Sequence, residues 1–582
     1  MSAREAAAAF EPPLDPPSSL FPIEERSVSS ELVRLLLDLG VRQAFGVVGG
    51  PIAGFVDVLG RSSLESFHFH HEVGAAFAAT EASIVSGRPV LVFVTTGPGL
   101  LNALNGLAAA RQEGAKVIVI SAVTAPGQRG RFASQETSAF SLPYDGLFTS
   151  GPLFHYAAVL DSAEQLAQTA AALQRGVLQA NGFVAHLALS MNVQRQSLDR
   201  PVRLPRVRAA GPAPTSAEME LAVERLRAGR YVLWLGFGAR HAARAIREFA
   251  ERTNTPVMCT PRAKGTFPEN HPLYLGVTGV GGREHLRQSL SRIAPHALLV
   301  LGSRLGEGSS YWHSAFERPG GFVHVDVDSS VFGAAYPEAM TLGLQSEVGA
   351  FMSGLAAHER TLVQDGTLPP PESRAVLAPR AGSVRPSFLL QEMQRIIVEQ
   401  SDALLMAEAG SAFVWANQCL RFDAPGRYRV SSGHSSMGHF ATGVVGTALA
   451  TGRRSVALVG DAALLMNNEI NAAAQYGANA TWIVLNDGRH GVVVQGMRAE
   501  GYGFEGLVFP RVDFATLARA LGARSLRVES ERELDAALRT SVSGTGAWLV
   551  DVSIDTEEAL PVFDRVANLR KQRAKSATKG AP

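Results

Sequence analysis

The stretch from Val456 to Gly491, VALVGDAALLMNNEINAAAQYGANATWIVLNDGRHG, decides how the chain is read. It opens with an apolar run that stops at Gly460-Asp461, passes through a helix-like segment, and closes with a second apolar run that stops at Asn486-Asp487. Continuous apolar runs alternating with helical segments mark parallel strands covered on both faces. In open parallel sheets ligands sit at the carboxyl ends of strands, where this stretch delivers Asp461 and Asp487. The separation, 487 − 461 = 26 residues, is one strand-helix-strand crossover, so both carboxylates fall on one rim. Two carboxylates held close repel each other unless a cation lies between them. Magnesium suits such a place, because it takes few protein ligands together with phosphate oxygens. Gly460, Ala462 and Ala463 leave room for a phosphate, and the helix that follows offers free N–H donors. The plain alternative is two unrelated strand-end acids that cap helices.

The same alternation extends outward in both directions. Before residue 193 the runs QAFGVVGG, PVLVFVTTGPG, AKVIVISA and FVAHLALS enclose helical segments such as EVGAAFAATEASIVSG; a helix is expected from near Ser30 to Gly40. A Pro- and Arg-rich linker precedes a second block built on YVLWLGFGAR, PVMCT, HALLVLGS and GGFVHVDVDSS. Another Pro-rich linker leads to DALLMAEAG and on to AWLVDVSID. The expected architecture is α/β, with three doubly wound parallel-sheet domains at 28–192, 215–358 and 386–562, linkers at 193–214 and 359–385, a flexible arm at 1–27 and a basic tail at 563–582. No sequence repeat marks a duplication.

Composition excludes several classes. Of 582 residues, 46% are hydrophobic and 18% charged, as in a globular protein of several domains. The 54 basic and 53 acidic residues nearly cancel, so no charge excess points to nucleic acid or a membrane surface. Cys259 and Cys419 are too far apart to suggest a disulfide framework or metal spacing, and both read as ordinary buried residues. No apolar run reaches the length of a membrane span. The acid-containing start fits neither a signal nor a transit peptide, so the cytoplasm is expected.

The segment GDAALLMNNEI…IVLND resembles the Gly-Asp-Gly…Asn-Asn diphosphate signature of thiamine diphosphate enzymes. Further motifs follow the order seen in their acetolactate synthase branch: FGVVGGP, HHEVGAAFAA, VTTGPGLLNALNGLAAA, SQETSAF, KGTFPENHPLYLGVTGVGG and SSGHSSMGHFATG. The resemblance implies pyrimidine-binding, central and diphosphate-binding domains, and a cofactor pair of thiamine diphosphate and Mg²⁺. It assigns Glu72, after the strand-like SFHFH and at the head of an Ala-rich helix, as the catalytic acid that shares a proton with the coenzyme's pyrimidine. An acid placed there only for the helix dipole is the plain alternative. Cofactor contacts implied are Gly49 and Gly50, Gly97 of Gly97-Pro98-Gly99, Gly410 and Ser411, and Gly460 with Ala462 and Ala463. Met437 would wedge between the coenzyme rings, and the Ser435 carbonyl would accept from the exocyclic amine. Metal ligands implied are Asp461, Asp487 and the backbone carbonyl of Arg489. The second ligand is normally Asn, and Asp487 departs from that pattern.

The resemblance also implies a 2-oxo acid substrate, pyruvate first, and a second carbonyl compound as acceptor. The family's Met-Val-Thr-Gln-Trp sequence reads GVVVQGM here, so its selectivity Trp is missing and a larger acceptor would fit. The Phe-Gln-Glu loop reads Ser134-Gln135-Glu136. His71, Gln135 and His434 are substrate-pocket candidates, with hydrogen-bonded structural histidines as the alternative. The expectation is a carboligase that forms an acyloin. A simple 2-oxo acid decarboxylase, a true acetolactate synthase and an inactive scaffold subunit are the alternatives. FAD is weighed and not favoured: Gly236 and Gly238 are a partial dinucleotide fingerprint, and of the family's flavin-binding stretch only Arg304 persists. Family active sites combine two chains, so a homodimer or homotetramer is expected.

Overall fold

The computed structural model describes residues 26–136, 145–207, 209–368, 375–503 and 506–560. The expected arm up to residue 25, the basic tail, and part of the Gln-Glu loop lie outside these residues, whereas Ser27, expected in the arm, is buried. The first helix runs Val28–Asp38, with the Ser27 side chain accepting from the Ser30 N–H as its cap.

Among the described residues the strands form three six-stranded, all-parallel sheets. The first holds β1 (Gln43–Gly46), β2 (Glu65–His68), β3 (Val90–Val94), β4 (Lys116–Val123), β5 (Tyr156–Leu160) and β6 (Phe183–Ser190), in the order β2-β1-β3-β4-β6-β5. The second holds β7 (Tyr231–Leu235), β8 (Val257–Cys259), β9 (Tyr274–Val277), β10 (Ala297–Leu301), β11 (Phe322–Asp326) and β12 (Thr341–Gln345), in the order β12-β11-β10-β7-β8-β9. The third holds β13 (Leu404–Ala407), β14 (Tyr428–Arg429), β15 (Ser455–Gly460), β16 (Ala480–Asn486), β17 (Arg524–Val528) and β18 (Trp548–Ser553), in the order β14-β13-β15-β16-β18-β17. Numbered within each sheet, the first and third are wound identically, 2-1-3-4-6-5. The central one is 6-5-4-1-2-3. Three layered α/β units were expected; this split between flanking and central winding was not.

Seven helices position the residues of interest: α1 (Glu72–Ser86), α2 (Pro98–Glu113), α3 (Ser411–Cys419), α4 (His439–Thr451), α5 (Asp461–Met466), α6 (Ile470–Gln475) and α7 (Gly491–Glu500). Helices α1 and α4 occupy equivalent places in the two flanking units, each following the second strand. Their contact is the largest between any two helices among the described residues. Small side chains allow it: α1 presents Ala75, Ala76, Ala78, Ala79 and Ala82, all buried. On α4, a Cβ at Gly446 would lie 2.0 Å from the Ala78 carbonyl oxygen, so only glycine fits. One hydrophobic cluster therefore runs through both flanking units, from Phe45 to Val444 and Trp482.

Fully buried charges fasten the same junction. Arg429 donates to both carboxylate oxygens of Glu81 at 2.8 Å and reaches Glu113 at 3.2 Å. Arg262 of the central unit lies 2.8 Å from Glu113, and the Ser431 hydroxyl donates to Glu113 at 2.8 Å. His439 Nε2 is 3.0 Å from Glu81. Burial alone would raise the Glu81 pKa, but the Arg429 charge and its hydrogen bonds prevail and hold it down at about 2. Such charges are tolerated inside because each has a hydrogen-bonded partner.

Candidate functional site

Strands β15 and β16 are neighbours in register from Ser455↔Ala480 to Gly460↔Leu485, so Asp461 and Asp487 emerge side by side on one rim. Asp461 Oδ2 accepts from the Gly488 N–H at 2.7 Å and the Asp487 N–H at 3.1 Å, and Oδ1 accepts from the Ala462 N–H at 2.7 Å. The side chain is buried, and burial, together with the Asp487 charge, pushes its pKa up to about 6. Burial also raises Asp487, against the pull of Arg489, whose Nε is 3.5 Å away. Gly491 makes room for that carboxylate: a Cβ there would stand 2.5 Å from Asp487 Oδ2.

Beside the two acids lies a cleft of about 180 Å³, lined among others by Gly410, Ser411, Met437, Gly460, Asp461, Ala462, Ala463, Asp487 and Arg489. The sequence thus named, from four separate segments, residues that fold into one cavity. Two crowded carboxylates whose ionised forms are penalised are a donor set that a divalent cation would relieve, and all the donors are hard oxygens. The Arg489 carbonyl accepts from the Gly491 N–H at 2.9 Å, which leaves it one lone pair. Gly410, at φ +114°, turns the chain so that the first amides of α3 reach the cleft. These residues fit a magnesium ion and a diphosphate. Among the described residues no group of three or more His, Cys, Asp or Glu gathers as a self-sufficient metal centre.

Most of the remaining candidates lie at the rim of the first sheet, while Ser435, in the third unit, lines a second cavity together with Gly410. Glu72 opens α1, nearly buried, and its Oε2 accepts from Asn102 Nδ2 of α2 at 3.0 Å. A Cβ at Gly99 would be 3.3 Å from Glu72 Oε1, and one at Gly49 would strike the Thr95 side chain. Gly97 sits at φ +61° under the Gln135 carbonyl, which also accepts from the Thr96 hydroxyl at 3.2 Å. Nothing crowds Gly50. Neither Glu72 nor these glycines line the 180 Å³ cleft of their own chain. His71 caps α1, its Nδ1 accepting from the Val73 N–H at 3.1 Å. His434 Nε2 lies 2.7 Å from Asn105 Oδ1, and burial, then the charge of His439, lowers its pKa. His71 thus makes a local cap, and His434 a contact between the third unit and α2. Ser435 is held at φ +49°, with its N–H donating to the Ser431 hydroxyl at 3.0 Å.

Several contributors were not singled out from the sequence. Asn102 orients Glu72. Glu408, fully buried at the end of β13, accepts from the Phe440 and Ala441 N–H groups and so ties that strand to the start of α4. His490, Gln495 and Glu558 line the cleft. Only Glu408 carried a signal, as an acid at the end of an apolar run. Of the two cysteines, Cys259 is buried, whereas Cys419 is only partly so.

The second cavity, about 930 Å³, opens at the carboxyl end of the central sheet beside the neighbouring strands β7 and β10. Arg111, Arg240, Arg262 and Arg304 line it together with Gly238, Gly302 and Asp326. Arg240 packs 3.9 Å from the Phe237 ring centre, and burial, with Arg262 and Arg429 nearby, lowers its pKa to about 9. Arg304 donates to Gln112 Oε1 at 3.2 Å. The cavity suits an anionic ligand, and nothing in it singles out a flavin. No helix among the described residues is long and apolar enough to cross a membrane.

Comparison with known proteins places three matches along the chain: the thiamine pyrophosphate enzyme N-terminal TPP binding domain at residues 26–142, the central domain at 219–355, and the C-terminal TPP binding domain at 408–552. A Mycobacterium tuberculosis protein assigned as an acetolactate synthase large subunit is 28% identical over 534 residues, covering 87% of this chain and 92% of that one. The acetolactate synthase isozyme 1 large subunit of Escherichia coli is 25% identical over 547 residues, covering 90% and 94%. A solved Mycobacterium smegmatis structure, assigned as a thiamin diphosphate-dependent enzyme, superposes with a TM-score of 0.77 at 21% identity, over 91% of this chain and 99% of that one.

Proposed function

The chain belongs to the thiamine pyrophosphate enzyme family, in its acetolactate synthase-like branch, and from that premise we propose that it is a carboligase that decarboxylates a 2-oxo acid and transfers the acyl fragment to a second carbonyl compound. The observation that carries the reading is the meeting of Asp461, Asp487, Gly410, Ser411 and Met437 in one cleft. When bound, thiamine diphosphate supplies a nucleophilic carbon that adds to a 2-oxo acid carbonyl and holds the electron pair left by departing CO₂. Asp461, Asp487 and the Arg489 carbonyl would hold Mg²⁺, and the amides around Gly410, Ser411, Ala462 and Ala463 would receive the diphosphate. Met437 would press against the bound coenzyme, and the Ser435 carbonyl would accept from its exocyclic amine. Glu72 would share a proton with the coenzyme's pyrimidine nitrogen. Trp415, Val492, Val493 and Ile554 give the cleft apolar walls.

Glu72 works in the cleft of a second copy of the chain, which makes a dimer the smallest active unit; its place outside its own cleft supports this. Gly496 follows Gln495 where the family motif has Trp. A Cβ at Gly496 meets nothing within 4 Å, which supports an acceptor larger than pyruvate. Incubating the enzyme with Mg²⁺, coenzyme, labelled pyruvate and a panel of aldehydes tests the reading by mass spectrometry. A labelled 2-hydroxy ketone is expected; aldehyde and CO₂ alone would identify a simple decarboxylase. The purified protein is expected to lack a flavin absorption band.

A further inference from the structure

Among the contacts that join the two rims, one with the metal acids and one with Glu72, one carboxylate stands out. Helix α5 starts at Asp461 and ends at Met466. Three residues on, Glu469 is buried and aims its carboxylate at the N-terminus of α1. It accepts from the His70 N–H at 3.2 Å and the His71 N–H at 3.1 Å, and its Oε2 lies 3.0 Å from His70 Nδ1. These are the last amides before Glu72. One step further, α1 carries Gly74, where a Cβ would come within 2.8 Å of Glu469 Oε1. The helix is therefore hollowed where the carboxylate passes. A second contact runs alongside, the His68 N–H donating to the Tyr476 hydroxyl at 2.8 Å just beyond α6.

We propose that Glu469 is a positioning residue that couples occupation of the magnesium–diphosphate site to the setting of Glu72. The inference rests on the site assignment above. The chain between Asp461 and Glu469 is one short helix and a two-residue connection. A cation that draws in Asp461 therefore moves Glu469, and with it the backbone that launches α1. Because Glu72 serves the neighbouring cleft, the coupling passes between the two active sites of the dimer. A carboxylate gripping two amides and a ring nitrogen transmits such a shift in a way that apolar packing does not.

Magnesium with inorganic pyrophosphate is the probe, because pyrophosphate fills the anion site and has no pyrimidine to touch Glu72. Amide hydrogen exchange is followed on the full-length protein with and without the probe. In the wild type, exchange should slow in residues 461–469 and, by about threefold or more, in residues 68–76. In Glu469→Gln, and independently in Gly74→Ala, protection at 461–469 should persist and that at 68–76 should disappear. Protection at 461–469 with no change at 68–76 in the wild type overturns the coupling alone. Equal protection of 68–76 in both variants does the same. No protection at 461–469 instead refutes the site assignment, and the coupling falls with it. With coenzyme bound, Glu469→Gln should slow exchange of the reactive thiazolium proton about tenfold while the coenzyme Kd moves less than about twofold. A purely structural role would move both together.

Discussion

At the scale of single residues, Asp487 is the point where this chain departs from the signature it resembles. An Asn at this position would keep one oxygen for a metal and lose a charge that the buried site penalises. Asp487→Asn is therefore expected to retain Mg²⁺ and coenzyme binding. Asp461→Ala, which removes the acceptor of three backbone N–H bonds as well as a ligand, should weaken both by at least about 100-fold in calorimetric titration. Gly496→Trp should fold normally, since space is open there, and cut kcat/KM for bulky acceptors about tenfold or more while sparing small ones. The residues legible from sequence were those whose chemistry announces itself locally: an acid at the end of an apolar run, glycines in a turn, a Met in a polar loop. Asn102 and Glu469 were not legible, because each acts through a partner about 30 or 400 residues away, which only the packing of α2 and α1 supplies.

At the scale of elements, the inner strands were readable and the edges mostly were not. VLVFV, ALLVL and SVALVG are continuous buried runs. The edge strands β12 and β17 mix polar with apolar residues and so lack the pattern that identifies a strand covered on both faces, whereas β5 is apolar but largely half-exposed. The seam between α1 and α4 was equally hidden, since Ala and Gly read as helix filler until two helices meet. Gly446→Ala tests it. The added methyl has no room beside the Ala78 carbonyl, so a loss of about 1–3 kcal/mol and a lower thermal midpoint are expected.

At the scale of the whole molecule, the Glu81–Arg429–Glu113 cluster joins all three units and makes the assembly sensitive to acid. The Glu81 pKa is depressed to about 2 from an ordinary 4.5, so its contribution is complete above pH 4.5 and is lost as pH falls toward 2. The urea midpoint of the wild type should decline across that window, whereas Glu81→Gln, weaker by about 3–5 kcal/mol at neutral pH, should decline less steeply. Assembly can be tested by complementation. Glu72→Gln and Asp461→Ala chains are each expected to be inactive alone. Co-expressed, they should recover about a quarter of wild-type activity, since half the dimers are hybrids with one intact site. The identical winding of the two flanking sheets bears on ancestry. Two units of the same strand order, clasped helix against matching helix, are the arrangement that doubling and fusing a self-pairing half-length protein would leave. An isolated third unit paired with an isolated first one should for that reason associate through the inherited clasp.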